Sequence, residues 1–276
     1  PGHEILRLDG PDGEPELIVC AVPYLRDRDI RVVEPGESIE DKERNLIDGI
    51  RRHYAAISAQ AETYRTRPDL PILATGHLFA SGGQTADGDG VRQLYVGSLA
   101  QVTADCFPDN IDYLALGHLH IPQKIGGSET RRYSGSPVPM GFGERGAKSV
   151  CLVDFAGRQA SVECLPVPVF QELERIEGAW EAIESRLKAI AAGGGHPWLE
   201  ITYTGSELIS DLRDRVEALT AGADMEVLRI KNARIMERAL ERDDDADTLD
   251  TLDGAGIPHV GAGRNLDEAK EPVILT

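Results

Sequence analysis

The chain has 276 residues, of which 28% are charged, and its formal net charge is −18 at pH 7. This acidic balance excludes a protein that holds nucleic acid through a broad basic surface, because such binding comes mainly from phosphate neutralisation. No apolar run approaches the roughly 18 residues of a membrane span, so the sequence predicts a soluble, cytoplasmic protein with no membrane contact. The length predicts one domain with a smaller attachment.

The four cysteines are widely spaced, and none of them forms a C-x-x-C pair. They are Cys20, Cys106, Cys151 and Cys164. Three of them lie in apolar, strand-like runs. The sequence therefore predicts reduced, buried thiols rather than disulfides or a zinc site.

The chain opens with two predicted strands, "HEILRL" and "ELIVCAVPYL", joined by the turn "DGPDGEP". A long helix is predicted next. Ser38 and Asp41 have the spacing of a capping box, and the helix should end before Pro68. Apolar residues recur every three or four positions along it, namely Leu46, Ile50, Tyr54, Ile57, Ala61 and Tyr64.

Strands dominate the middle of the chain. They are predicted at "PILATGH", "QLYVG", "DYLALGHLH", "TRRYSG" and "KSVCLVDF". A loop rich in Gly and Asp should span residues 81–90, and "SPVPMGFGERG" should be a turn-rich connection. Within that connection Ser136 lacks the G-x-S-x-G context of a nucleophile and is predicted to be a turn residue.

The sequence changes character near Pro166 and Pro168, where "LPVPVF" is predicted as a linker or a boundary strand. Three strands then alternate with two helices, with the strands around "FQELERI", "PWLEITYTG" and "MEVLRIKN". The helices carry apolar faces of Trp180, Ile183, Leu187 and Ile190, and of Leu208, Leu212, Val216 and Leu219. Residues 166–242 are therefore predicted to form a small β-α-β-α-β domain.

Residues 243–276 contain nine acidic residues against Arg264 and Lys270. They carry too few large apolar residues to build a core. The sequence predicts an acidic, disordered tail there.

Three histidines occur where predicted strands end. His77 follows Gly76, and both His118 and His120 follow the run that ends at Gly117. In an extended chain, side chains at i and i+2 point to one face, so His118 and His120 should project together. Neutral imidazole suits Zn, Fe or Mn, and the edge of a sheet beyond its strands' carboxyl ends is a common ligand site.

The alternative for each of these histidines is a hydrogen-bonded or solvated residue with no ligand. Their shared Gly-His context favours metal binding. The other four histidines lack that context and are predicted to be structural or solvent-facing. These are His3, His53, His196 and His259.

Five segments together resemble the SbcD family of calcineurin-like metallophosphoesterases, from about Gly2 to about Arg238. They are "LIVCAVPYLRDRDI", "ATGHLFASGG", "YVGSLAQV", "IDYLALGHLHIPQKIGG" and "RYSGSPVPMGFGE". The resemblance implies a mixed α/β (α+β) fold, with a β-sandwich flanked by helices and incomplete on its N-terminal side. It implies that residues 1–165 are the C-terminal part of the phosphoesterase domain and that residues 166–242 are a DNA-guiding cap.

The resemblance also implies two divalent metal ions, most simply Mn²⁺. His77 and His118 would bind one ion and His120 the other. The implied activity is cleavage of DNA, as a double-strand exonuclease and single-strand endonuclease in repair and recombination. The implied partner is the ATPase SbcC, in a heterotetramer of two copies of each protein.

The chain also departs from this family. It contains none of the three front motifs, Asp-x-His, Gly-Asp-x-x-Asp and Gly-Asn-His-Asp. In the family these motifs supply the bridging aspartate, an asparagine ligand and the catalytic histidine, so no catalytic residue is assigned here. We expect a fragment that begins after the third motif and is inactive alone. Two alternatives remain open: a phosphodiesterase that acts on a small nucleotide, and a catalytically silent interaction module.

Overall fold

The computed structural model describes residues 3–31, 36–80, 102–144, 146–207 and 209–233. The predicted loop at 81–90, the predicted strand "QLYVG" and the predicted tail at 243–276 lie outside these residues. The chain divides into two compact units, Pro1–Lys231 and Asn232–Thr276. All the elements below lie in the first unit, except the last residue of the final strand. No helix of the described part is long and apolar enough to cross a membrane.

The described part contains strands and helices in mixed order, as a mixed α/β fold requires. The strands are β1 (Ile5–Asp9), β2 (Pro15–Cys20), β3 (Ile72–His77), β4 (Tyr113–Gly117), β5 (Gln123–Lys124), β6 (Arg131–Tyr133), β7 (Lys148–Ala156), β8 (Gln159–Val167), β9 (Leu173–Gly178), β10 (Trp198–Tyr203) and β11 (Glu226–Asn232). The helices are α1 (Asp27–Ile30), α2 (Ile39–Tyr64), α3 (Trp180–Gly193) and α4 (Leu212–Thr220). The predicted fold class is confirmed.

A six-stranded sheet with the order β1-β2-β3-β4-β6-β5 forms the centre of the part before β7. Strands β2, β3, β4 and β6 run parallel, and the edge strands β1 and β5 are antiparallel to their neighbours. Strands β2, β3 and β4 are short and mainly apolar, because both faces of a parallel sheet are covered. Their carboxyl ends meet at one edge of the sheet.

Helix α2 covers one face of this sheet. The predicted capping box is confirmed, since the Ser38 hydroxyl accepts from the Asp41 N–H while the Asp41 carboxylate accepts from the Ser38 N–H. Tyr54 is fully buried, and its hydroxyl donates to the Thr75 carbonyl at 2.8 Å. Its ring meets Phe107 edge-on with centroids 4.8 Å apart. The predicted apolar stripe is thus buried at Ile50, Tyr54, Ile57 and Ala61, whereas Tyr64, at its end, is exposed.

A two-stranded hairpin of β7 and β8 covers the opposite face. Arg132 of β6 reaches it with a contact of 3.1 Å from Nη2 to the Cys164 sulfur, and Arg158 at the hairpin turn donates to Asp112 at 2.8 Å. The register of β4 and β6 places Arg132 beside Ala115, on the face away from Tyr54. The central sheet therefore lies between α2 and the hairpin.

The cap has its own sheet of order β11-β10-β9 and its own apolar core. β9 and β10 run parallel and are joined by α3, and α4 follows β10, as the β-α-β-α-β pattern predicts. Ile183 and Leu187 of α3 pack on Leu199 and Ile201 of β10, and all four are fully buried. The domain boundary at residue 166 stays a prediction.

Several sequence expectations were wrong in detail. The strand predicted as "DYLALGHLH" ends at Gly117, because the next residue leaves the extended conformation. Strand β8 was predicted only at its end, "LPVPVF", although polar and apolar residues alternate in its first part from Gln159 to Cys164. All four cysteines are free as predicted, but only Cys20 and Cys106 are buried, and Cys164 is exposed.

Candidate functional site

The candidate site lies at the carboxyl edge of the four parallel strands. β3 ends at His77, β4 is followed by His118 and His120, and β6 is followed by Gly135 and Ser136. Ligands in open parallel sheets bind beyond this edge, because side chains from several strand ends converge there. The structure thus brings the three sequence-predicted histidines to one edge.

His77 and His118 are in contact. Their ring centroids are 5.1 Å apart, and Tyr24 meets the other side of His77 at 5.9 Å, with its ring nearly perpendicular. Burial lowers the pKa of His77, and the nearby charge of His120 lowers it further. A neutral imidazole, which is the form that binds metals, is therefore favoured at His77 near pH 7.

The backbone at Gly117 and His118 allows the rings of His77 and His118 to lie close together. A β-carbon on Gly117 would lie 3.2 Å from Nδ1 of His77, which is tighter than ordinary contact. The next residue, His118, has φ of 105°, which side chains rarely adopt. Strain of this kind is held only where the surrounding structure enforces it, and it occurs most often at functional sites.

His120 is anchored by a buried carboxylate. Its Nδ1 lies 2.8 Å from Oε1 of Glu144, whose side chain is only 1% exposed. The Lys148 ammonium forms an ion pair with Glu144 and donates to the Ser136 hydroxyl at 2.9 Å and to the His120 carbonyl at 3.2 Å. Ring and backbone of His120 are thus held by one connected network.

This network fixes the tautomer of His120. Burial opposes the charge on Glu144, but hydrogen bonds from Lys148 and His120 outweigh it, so the pKa of this carboxyl is lowered. An ionised carboxylate can only accept, so Nδ1 of His120 must donate its proton to Glu144. In the neutral ring the lone pair then lies on Nε2. Metal-binding histidines are held by carboxylates in the same way.

Gly135 closes the network from the other side. Its φ is 77°, and a β-carbon there would lie 2.9 Å from the His120 carbonyl oxygen. The Ser136 N–H donates to that same oxygen at 3.2 Å. The structure shows no turn at Ser136 itself, so that prediction was wrong. Its hydroxyl donates to Glu144 and accepts from Lys148, and so helps to hold His120 in place.

The described residues supply only part of a metal site. They contain no group of three or more His, Cys, Asp and Glu side chains that could by itself hold an ion. The imidazoles fit one side of a divalent ion's coordination shell, since His77 favours its neutral form and His120 keeps its lone pair on Nε2. The ligand roles of His77, His118 and His120 stay predictions.

The other histidines have separate environments. His53 lies on α2 with Nε2 3.0 Å from a carboxylate oxygen of Glu4, and His196 pairs with Asp224 in the cap. The Glu4 carbonyl accepts from the Ala21 N–H at 2.6 Å, so Glu4 lies beside the end of β2. His259 lies outside the described residues.

Sequence reasoning missed Glu144 and Lys148. Both residues follow the three histidines in the chain. Glu144 lies in the turn-rich segment "SPVPMGFGERG", which has no periodic pattern from which the position of its carboxylate could be predicted. The available signal was the i, i+4 acid–base spacing of Glu144 and Lys148 at the start of a strand.

A cleft of about 500 Å³ opens beside this network, between the loop of residues 137–142 and the cap. Lys148 lines it on the phosphoesterase side, and Trp198, Leu228 and Arg229 line it on the cap side. Most of the lining is apolar. The cap sheet thus presents its helix-free face to the network that anchors His120.

Comparison with known proteins gives consistent results. The family model SbcD_C, described as a type 5 capsule protein repressor C-terminal domain, matches residues 169–255. The SbcD component of the nuclease SbcCD from Escherichia coli K12 is 37% identical over 255 residues, which is 91% of this chain and 63% of that protein.

Proteins of the same name from other bacteria match over shorter stretches. The one from Rhodobacter capsulatus is 34% identical over 60% of this chain and 40% of its own length. The one from Bacillus subtilis is 42% identical over 38% of this chain and 28% of its own length. The chain therefore spans less than two thirds of the length of each of these relatives. On the strength of its fold and these matches, the chain belongs to the SbcD family.

Proposed function

We propose that this chain is the histidine-bearing part of a metal-dependent nuclease that hydrolyses phosphodiester bonds in DNA. The observation that carries the proposal is the position of His77, His118 and His120 at one sheet edge, with the first two in contact, in a chain of the SbcD family. Imidazole nitrogens with fixed tautomers suit catalytic divalent ions.

In this proposal His77 and His118 hold one ion and His120 the other. Two Mn²⁺ ions, when bound, would activate the attacking water and offset the negative charge of the phosphoryl group. The chain has no Asp-x-His, Gly-Asp-x-x-Asp or Gly-Asn-His-Asp segment, so the remaining ligands must come from residues outside it. The isolated chain is therefore proposed to be inactive.

The chain's own residues would orient the ligands. Glu144 keeps a proton on Nδ1 of His120 and so leaves Nε2 to face the ion. Lys148 neutralises Glu144 inside a network almost closed to water, with side-chain exposures of 8% and 1%. A network this closely bonded loses little freedom on metal binding.

We further propose double-strand exonuclease and single-strand endonuclease activity in DNA repair and recombination in the cytoplasm. The relatives' name denotes one component of a complex, the nuclease SbcCD. We propose SbcC as the partner ATPase, in a heterotetramer of two copies of each protein. We also propose that residues 166–242 form a cap that guides DNA towards the site.

The test is duplex degradation by the whole protein with Mn²⁺ and SbcC. His118→Ala and His120→Ala should each abolish it. His196→Ala is the matched control, because this exposed histidine lies in the cap and should leave the rate unchanged. Undiminished cleavage by either site variant would contradict the proposal.

A second candidate is hydrolysis of a small nucleotide, since the three histidines at the sheet edge all precede residue 166 and such a substrate would need no cap to reach them. Deletion of residues 166–242 separates the two, because an enzyme for small substrates should keep most of its turnover without a DNA-guiding cap. For the isolated chain, titration with Mn²⁺ tests the proposed inactivity. Tight binding of two ions would contradict it.

A further inference from the structure

Cys151 and Cys164 are direct cross-strand partners in the β7–β8 hairpin. The hairpin turns through two residues, of which Gly157 has φ of 60°, as the first central position of a type II′ turn requires. Cross-strand pairs alternate between hydrogen-bonded and non-hydrogen-bonded types, beginning with a hydrogen-bonded pair next to a two-residue turn. Counted from that turn, the cysteine pair is non-hydrogen-bonded.

A proline supports this assignment. Ser149 and Pro166 form the pair two positions further from the turn, so they should be of the same type as the cysteines. Pro166 has no N–H to donate, which suits a non-hydrogen-bonded position. In such pairs the Cα atoms are about 4.5 Å apart, and disulfides span Cα distances of about 4.4–6.8 Å.

The two sulfurs share one face of the hairpin but differ in exposure. Cys164 is exposed and Cys151 is half-buried. Arg132 lies between the hairpin and the central sheet, with Nη2 3.1 Å from the Cys164 sulfur. Cys164, the more exposed of the two residues, thus has a cation beside its sulfur, and Cys151 lies directly opposite.

We propose that Cys151 and Cys164 form a reversible thiol–disulfide pair that is oxidised by a peroxide. The Cys164 sulfur attacks one peroxide oxygen, the O–O bond breaks, and a sulfenic acid and one water form. The Cys151 sulfur then attacks the sulfenic sulfur, the S–O bond breaks, and a second water leaves. The two thiols lose two electrons and two protons, which the peroxide gains.

The disulfide would change the hairpin that connects the two parts of the chain. β7 begins at Lys148, in the network around His120, and β8 leads into the cap. A bond between the strands closes the loop of residues 152–163 and so opposes local opening of the hairpin. It also replaces the thiol that Arg132 contacts. This inference does not depend on the proposed nuclease activity.

The test is peroxide treatment of the folded 276-residue chain, followed by alkylation of the remaining thiols and peptide mass analysis. The wild-type chain should lose two of its four thiols. One cross-linked peptide should contain Cys151 and Cys164, and a thiol reductant should restore both thiols. Cys106→Ala is the matched control, because this buried cysteine is outside the pair and its loss should leave the cross-link unchanged.

The single variants separate the two steps. Cys151→Ser should stop at a sulfenic acid on Cys164 that a dimedone probe captures, and Cys164→Ser should keep its three thiols. The proposal is overturned if the wild-type peptide map shows oxidised Cys164 without a bond to Cys151. Loss of two thiols from the Cys164→Ser variant would also overturn it. The wild-type map decides the matter even where a variant folds poorly.

Discussion

Nδ1 of His120 lies 2.8 Å from Oε1 of Glu144, a residue 24 positions further along the chain. The carboxylate is held in turn by Lys148 and by the Met140 N–H at 3.2 Å. The orientation of this histidine is therefore set by a loop and a strand that carry no proposed ligand. A substitution in either should change the orientation of His120 at the carboxyl edge of the sheet.

Glu144→Gln should weaken metal binding in the whole protein. The amide is neutral, so it cannot compensate the positive charge of the buried Lys148 ammonium. It can also donate to Nδ1 of His120, so that atom no longer has to carry a proton. We expect metal affinity to fall about 10- to 100-fold. The free energy of unfolding should fall by about 3 kcal/mol, because breaking a buried ion pair leaves one charge uncompensated.

Mn²⁺ titration and urea unfolding measure these two effects. Glu129→Gln is the control, since Glu129 is an exposed carboxylate that pairs with Lys124. Equal metal affinity in the Glu144→Gln and Glu129→Gln proteins would show that Glu144 does not position His120.

Gly117→Ala should displace the ring of His77. The added methyl group would lie 3.2 Å from Nδ1, so the ring must move by a few tenths of an ångström. The pKa of His77 is now below its ordinary value of 6.5, mainly because of burial. A displaced, better solvated ring should titrate closer to 6.5, which an NMR pH titration of the histidine signals measures.

Gly193→Ala is the matched control for this substitution. No atom lies within 4 Å of the position that a β-carbon would take there, at the end of α3. The titration of His77 should be unchanged in this variant. A His77 titration that stays the same in Gly117→Ala as well would refute the steric argument.

Tyr133→Phe should loosen the segment that follows His77. The buried hydroxyl donates to the Leu78 carbonyl at 2.6 Å and accepts from the Ala80 N–H at 2.9 Å. Removing it leaves two buried backbone groups unpaired, which costs roughly 1–3 kcal/mol each without relaxation. We expect a loss of about 2 kcal/mol in urea unfolding. Tyr64→Phe, at an exposed position, should change stability little.

Glu200 should make the stability of the cap depend on pH. This fully buried carboxylate pairs with Arg175, Arg229 and Lys231. Burial would raise its pKa, but hydrogen bonds from Lys231 and Arg175 outweigh burial, so the pKa is lowered from its ordinary value of 4.5. Its stabilising effect is therefore complete above pH 4.5 and is lost as the pH falls through the lower folded-state value.

Glu200→Gln should be less stable than wild type at pH 7, and the difference should shrink as the pH drops below 4.5. Urea unfolding across this range measures it. Glu177→Gln, an exposed change on the same sheet, is the control. A difference that stays constant with pH would exclude the ionised Glu200 as its source.

The sequence predicted elements wherever local signals were strong. The capping box predicted the start of α2. The apolar runs of β3 and β4 predicted two strands that end near His77 and His118, and these strands are parallel and so share a carboxyl edge. It could not predict that β4 stops at Gly117. That stop depends on the positive φ of His118, which tertiary packing imposes and which histidine itself disfavours.

The sequence also did not predict the contact that anchors His120. The contact with Glu144 depends on the path of a Pro- and Gly-rich loop, and such loops carry no periodicity from which a path can be derived. Strand β8 was predicted only at its end, although polar and apolar residues alternate from Gln159 to Cys164, which is the period-2 signal of a strand.

The φ of 105° at His118 lowers the stability of the folded chain at a position that we propose to bind a metal ion. Glycine would adopt this geometry without cost, so His118→Gly should give a protein that unfolds at higher urea concentration than His118→Ala. The chain has histidine at this position instead, and its β-carbon makes this φ unfavourable. A side chain kept at a φ that costs stability is typical of functional positions, which agrees with the proposed ligand role of His118.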